Sequence, residues 1–466
     1  MKTSWFIPIV MTAALLGLTL QSPIRTGRFS WGQAFCFSIE KERDLGERVF
    51  REVQKQGEIV RIPSIHVYID TLGRKLVAHA DGSAFPIRFM VLKESEPNAF
   101  AIPGGRIFIT TGLIRLVESE DELAGVMGHE IGHVVRRHIA DRIEASKRLT
   151  IPTLVSALAG ILVGGPGGGA IVAGSLAYGE SKKLKYTRDN EREADRLGLA
   201  YMTAAGFDGC AMISFLKKIY RTTEYDAAFP SYLSTHPGIP SRISYLETLM
   251  GDHPPSTSIG QCPARLKRTR TQLLILDKGP LAALEHFSSV LEASPDNGDA
   301  LFGRALAEKE MGRVKESIED LKRAHILTPQ DPQILKELGH GFIRVGRINE
   351  GIRALERSLV LSGEDAETAY YLGQGYQIQK KSALAIESYL RAGALYPDLP
   401  DLNRKLGSAY QEKGEMDQSH FYYGLHFENE GKPKYARYHF EKALELSGRD
   451  PERQEEIRKK LAELGR

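Results

Sequence analysis

The chain passes through three hydrophobic rhythms. Residues 5–20 form one uncharged, predominantly apolar run. Across residues 40–250, short apolar runs rich in β-branched residues (65–69, 87–92 and 107–110) are interleaved with helical periodicities, a pattern that predicts an α+β domain. One of its helices opens at Ser119-Glu-Asp-Glu122, a capping-box signature, and continues through LAGVMGHEIGHVVRRH. A second covers TRDNEREADRLGLAYMTAAG and stops at Gly206, a C-cap residue. Residues 251–263, GDHPPSTSIGQCP, keep neither period and cluster Pro, Gly and Ser, so they form a linker.

From residue 264 to 466 a third rhythm takes over. Pro295, Pro329, Gly363 and Pro397 recur every 34 residues, as do Gly312, Gly346, Lys380 and Gly414, and Ala305, Gly339, Gly373 and Gly407. Small residues in the last column let paired helices approach closely, the glycine column breaks the chain between helices, and the proline column ends each second helix. This resembles the tetratricopeptide repeat, with Ala283, Phe287, Ala385, Tyr389 and Ala392 at second-helix packing positions. Lys380 and Gly363 depart from the ideal columns. Near the end, Gly431, Ala436, Phe440, Ala443 and Gly448 follow the template 17 residues late, so the helix near 417–430 serves two repeats. The expected architecture is an all-α solenoid of about ten to twelve helices.

Composition narrows the classes. At 466 residues, 42% hydrophobic and 26% charged, the chain is too apolar to be disordered and long enough for two or three cores. A net charge of +3 without a basic run argues against a nucleic-acid partner. Cys36, Cys210 and Cys262 lack the spacing of a thiolate metal site; whether Cys210 and Cys262 pair is left open by sequence. The apolar N-terminus makes residues 1–35 an export signal or an uncleaved anchor, cleavage being favoured. That places the protein in the periplasm or cell envelope.

The chemistry sits on the two helices of the α+β domain. His129 and His133, four residues apart, project from one helical face and can grip one tetrahedral cation, while Glu130 lies on the flank where its carboxylate can reach a water at the metal. Gly125, Gly128 and Gly132 keep that helix slim. On the second helix Glu191 and Asp195 share a face and Glu193 points away, giving one further ligand and one carboxylate to orient a histidine.

HEIGH followed some sixty residues later by EREAD resembles the zinc metallopeptidases of the HtpX, Oma and BepA group, gluzincins with the pattern HExxH then ExxxD. NAFAIPGGRIFITTGLI (98–114) is similar to the strand and turn before that family's active helix, and STHPGIPSRI (234–243) to its His-Pro segment. The resemblance spans residues 40–250 and implies a zincin-type fold with one Zn2+ per chain. It implies His129, His133 and Glu191 as ligands, Glu130 as general base, and Asp195 as the family's acid or orienting residue. An exported peptidase followed by tetratricopeptide repeats is most similar to the BepA type. That implies an endopeptidase acting on unfolded or misassembled envelope proteins, with chaperone activity and an outer-membrane assembly complex as partner of the repeats. The alternative class is a non-catalytic chaperone or assembly scaffold working through the repeat array, although such a protein has no need of Glu130.

Three further expectations complete the reading. Asn98, Ala99 and Phe100 lie on a sheet edge or a plain hairpin, and as an edge would hold an extended substrate by main-chain pairing. His236, held in a turn by Pro237 and Pro240 with Arg242 close behind, either closes the metal's open position or stabilises the transition state. Residues 151–178, apolar and glycine-rich, form a flap or membrane-touching loop, a buried hairpin, or one span.

Overall fold

The structure, a computed structural model of the chain, describes residues 38–145, 150–163, 186–225, 231–251, 263–448 and 450–465. The expected leader (1–35), Cys36, Cys262 and most of the glycine-rich segment lie outside them.

The first domain runs α1 (Ile39–Gln56), β1 (Glu58–Ile59), α2 (Pro63–Val77), β2 (Arg88–Lys93), β3 (Ala99–Ile102), β4 (Arg106–Thr110), α3 (Thr111–Leu116) and α4 (Glu120–Val135). It continues through α5 (His138–Ala145), α6 (Ile151–Val163), α7 (Arg188–Ala204), α8 (Cys210–Tyr225), α9 (Ser231–Thr235) and α10 (Ile239–Met250). Four strands make one sheet in the order β1-β2-β4-β3, with β2 and β4 parallel and the other pairs antiparallel. Both faces are covered, so the strands read as continuous apolar runs. Phe89, Val91, Ala99, Ala101, Ile107 and Ile109 join the core shared with α2 and α4. Leu92, Phe100, Ile102 and Phe108 belong to a second core with Leu45, Val49 and Val53 of α1 and Leu154 and Leu158 of α6. The described part of residues 151–178 is thus a helix packed against α1, and no helix among the described residues is long and apolar enough to cross a membrane.

The run at 65–69, expected as β-rich, is helical instead. Its β-branched residues fall at helical spacing, with Ile65, Tyr68, Ile69, Leu72 and Leu76 buried on one face behind Pro63 at the first turn. Burial of that stripe outweighs the small propensity penalty of β-branching.

Twelve helices follow, from α11 (Ala264–Lys278) to Pro451–Glu463. The small-residue column does what close packing requires: a Cβ on Gly373 would lie 2.5 Å from the Tyr389 ring, and one on Gly339 2.5 Å from Leu355. Gly312, Gly346 and Gly414 take positive φ, and Lys380 takes the same left-handed turn at φ 60, at a cost of about 1–2 kcal/mol that glycine would avoid. The helix Met416–Asn429 packs on both neighbours: Tyr423 covers Gly407, and Phe440 covers Gly424. Here the late register of the last repeat is realised.

Helix α11 joins the two parts. Its Leu266 and Leu273 are buried in the first domain's core. Gln272 bonds Ser64, and Asp277 meets Thr111 and Arg115, each at 3.2 Å.

Candidate metal centre and cleft

Helices α4 and α7 lie against each other through glycine. A Cβ on Gly128 would fall 2.9 Å from the Gly198 carbonyl, and one on Gly132 3.0 Å from Ala194 Cα. Ser119 starts α4 by accepting from Glu122 N–H at 3.1 Å, and Thr187 with Asn190 forms a complete capping box on α7. This backbone-to-backbone approach brings His129 and His133 of α4 opposite Glu191 and Asp195 of α7, all at most 1% exposed.

Four donors converge there. His129 Nε2 is 3.0 Å from His133 Nε2 and 3.5 Å from Glu191 Oε2, while His133 Nε2 is 3.5 Å from Glu191 Oε1. His236 Nδ1 completes the group, 3.3 Å from His129 Nε2 and 3.2 Å from Glu191 Oε1. Ligand bonds of about 2.0–2.1 Å in a tetrahedron give edges of about 3.3–3.4 Å, so these spacings suit one small cation. The charge balance agrees. Glu130, Glu191 and Asp195 share the interior with Arg242, and with neutral imidazoles they leave two negative charges for a divalent ion to neutralise. Both Glu130 oxygens lack hydrogen-bond partners, another sign that something besides protein belongs there.

The surrounding bonds fix these donor side chains. Asp195 Oδ1 lies 2.8 Å from His129 Nδ1, leaving Nε2 for a cation. Arg242 donates to Asp195 through Nε at 2.7 Å and Nη2 at 2.6 Å, and its Nη1 contacts Glu191 Oε2 at 2.7 Å. Burial and Arg242 oppose protonation of His129, yet Asp195 and Glu191 prevail and raise its pKa to about 9, a proton taking the place of a cation. Burial works against ionised Asp195 too, but Arg242 and His129 hold it at about 2. Glu130 is pushed above the ordinary carboxylate range by burial.

Of the residues expected to hold substrate, Ala99 reaches this centre. Thr110 N–H donates to the Asn98 carbonyl and Phe100 pairs with Phe108, so alternation turns the main-chain groups of Ala99 and Ala101 to the free side of β3. His236 Nε2 sits 3.2 Å from the Ala99 carbonyl and 3.4 Å from Glu130 Oε1. β3 is therefore both a hairpin arm and the sheet's edge, with its outer side capped by His236. Phe100 packs instead in the α1–α6 core, stacked on Phe108 at 5.2 Å; the Asn98 side-chain amide is buried without a partner. Arg242 is spent on two carboxylates, which sets it behind the ligands.

Three residues of the centre escaped the sequence reading. Tyr186 stacks on His133 with centroids 3.8 Å apart, Tyr232 stacks on His236 at 4.6 Å, and His138 contacts His133 from behind at 3.0 Å. His138 is visible at the end of HVVRRH, but no spacing rule links it to the helix face. The tyrosines stand outside any motif.

These features define a metallopeptidase-type centre, and the comparisons agree. Residues 64–250 match the profile of Peptidase family M48, and residues 279–332 that of the tetratricopeptide repeat; the chain carries an M48 peptidase domain followed by tetratricopeptide repeats. It is 37% identical over 210 residues to the Beta-barrel assembly-enhancing protease of Yersinia pestis, covering 44% of this chain and 43% of that one. The Escherichia coli K12 protein of the same name is 36% identical over the same shares. The Mitochondrial metalloendopeptidase OMA1 of Schizosaccharomyces pombe is 27% identical over 45% of this chain and 61% of its own. The matches thus span somewhat less than half the length of the first two relatives. Among solved structures, MamA is similar at 25% identity over 37% of this chain and 92% of its own, with a TM-score of 0.29.

Proposed function

We propose that this protein is an exported zinc endopeptidase of the cell envelope that cleaves misfolded or misassembled proteins and takes part in outer-membrane protein assembly, its repeats engaging protein partners. The observation that carries the reading is the convergence of His129, His133 and Glu191 beside a buried Glu130 whose oxygens have no hydrogen-bond partner. The relatives' names, with their assembly and protease roles, support the setting.

His129, His133 and Glu191 hold the zinc. When bound, it supplies Lewis-acid polarisation of the scissile carbonyl and the attacking water. Glu130 takes the proton of that water on its carboxylate and returns it to the leaving amine; the burial that raises its pKa makes it a stronger base than a solvated glutamate. Asp195 fixes the His129 ring, and Arg242 keeps Asp195 and Glu191 ionised. An extended substrate pairs with the main chain at Ala99, a mode that asks little of its sequence. His236 occupies the space that substrate and water need, so it acts as an inhibitory fourth donor that must swing away.

The test is Glu130→Gln. It should keep about one zinc per chain and lose peptide hydrolysis by at least ~100-fold, read by metal analysis and by comparing cleaved envelope proteins with wild type. Unchanged cleavage in the variant would refute the assignment, and a wild type with no cleavage at all would favour the scaffold class.

A further inference from the structure

Behind His133, away from the metal face, lies a chain of polar contacts that no motif announces. Helix α4 ends at Val135, and Arg137 turns the backbone with φ 54 so that α5 begins at His138. A left-handed arginine is strained, and this one is fastened to buried Glu42 of α1 through Nε at 2.8 Å and Nη2 at 2.7 Å. The turn folds His138 back under the helix it has just left. His138 Nδ1 then stands 3.0 Å from His133 Nδ1, and its Nε2 stands 3.1 Å from Glu193 Oε2. The other Glu193 oxygen receives Arg136 Nε at 2.7 Å.

Proton positions along this chain follow by elimination. Glu193 is the carboxylate partner of Arg136, and an ionised carboxylate only accepts. The hydrogen between His138 and Glu193 therefore belongs to His138 Nε2. An imidazole with its one hydrogen on Nε2, turned to Glu193, has a bare Nδ1 that accepts. The only hydrogen available to that contact is on His133 Nδ1, which leaves the lone pair of His133 on Nε2, the atom facing His129 and Glu191.

We propose that Glu193 and His138 form a two-link relay that sets the tautomer and ring direction of His133, presenting Nε2 to the metal. They are positioning residues, and the inference rests on the reading of His133 as a ligand. Asp195 performs the same task for His129 in one link; for His133 the carboxylate sits one imidazole farther out. Glu193, turned off the ligand face of α7, joins the site through His138 and not through the metal. Tyr186, stacked on the face of the His133 ring, limits its tilt.

The experiment measures zinc affinity of the full chain by competition with a chromophoric chelator in wild type, His138→Leu, His138→Asn and Glu193→Ala. Loss of a contact that orients a ligand weakens metal binding by about 10 to 100-fold, and that is expected for His138→Leu. His138→Asn offers an amide oxygen to His133 Nδ1–H and should restore most of the affinity. Glu193→Ala, at a partly exposed position that disturbs no core, should give an intermediate loss. Wild-type affinity in His138→Leu or Glu193→Ala overturns the relay, as does an equal loss in the leucine and asparagine variants, which would mark His138 as packing alone. A wild type that binds no zinc would instead overturn the metal reading itself.

Discussion

The separation of the two ligand helices is set by backbone contact, and Gly198→Ala tests it. A Cβ at this position would lie 2.6 Å from His129 N, 2.8 Å from Gly128 C and 3.0 Å from His129 Cα. Those are backbone atoms of a central helix and cannot rotate aside. Ordinary carbon contacts begin near 3.5 Å, so α4 and α7 must part by roughly 0.8 Å. Overpacking of this kind costs about 1–3 kcal/mol. The larger effect falls on the centre, because metal sites tolerate displacements of only about 0.2 Å, and a 1 Å error in a reacting group costs about 100-fold in rate. Zinc affinity should fall at least ~10-fold and peptidase activity further still. Gly206→Ala is the control: its Cβ would meet nothing within 4 Å, but its φ of 82 is strained for alanine, so it should lose about 1–2 kcal/mol of stability and no zinc. Thermal unfolding and chelator competition on both variants separate the effects. Equal zinc affinity in Gly198→Ala and Gly206→Ala would refute the claim that glycine contact sets the ligand geometry.

Two further outcomes are expected. His236→Ala should retain zinc and raise cleavage of an unstructured peptide, since it uncovers both the metal group and the Ala99 carbonyl; reduced turnover with unchanged peptide binding would make His236 a transition-state donor instead. In the repeats, burial lowers the pKa of His340, stacked on Tyr371 at 3.9 Å, to about 4. The folded state therefore favours the neutral ring: its contribution is complete above the unfolded value near 6.5 and is lost as pH falls toward 4, a span equivalent to about 3 kcal/mol. Melting curves of His340→Phe between pH 7.5 and 4.5 should show a shallower acid loss than wild type, and an identical slope would refute the assignment.

What the sequence disclosed followed the length scale of the interactions. His129, His133, Glu191 and Asp195 were legible because each pair lies one turn apart on a helix, and local spacing is a helix's geometry. The repeats were legible because Gly339, Gly373 and Gly407 solve one packing problem at one interval. The run at 65–69 misled because its β-branched composition and its helical burial pattern disagreed, and tertiary burial prevailed. His138 and Tyr186 were hidden for a different reason. Their partners are reached by a left-handed turn and by a connection outside the ligand helices, and neither leaves a period. Phe100 and Ala99 differ for a related reason: as neighbours on a strand they turn their side chains to opposite faces of β3 and their main-chain groups to opposite sides, Phe100 toward β4 and Ala99 toward the free edge.

The proposed role of His236 also has a consequence for how the centre opens. The ring is held at both nitrogens, Nε2 on the Ala99 carbonyl and Nδ1 toward His129 and Glu191, and at its face by Tyr232. An extended peptide pairing along β3 needs the same Ala99 carbonyl, so it competes directly with His236 Nε2–H. Replacing one hydrogen bond by another costs little net free energy, about 1 kcal/mol or less, whereas opening the ring without a replacement would strand a buried carbonyl. Substrate that forms the strand pairing therefore lowers the cost of opening, and a small amide substrate that cannot pair does not. On this reading the wild type should discriminate between long and short peptides far more than His236→Ala does, because removing the ring removes the coupling between strand pairing and access to Glu130.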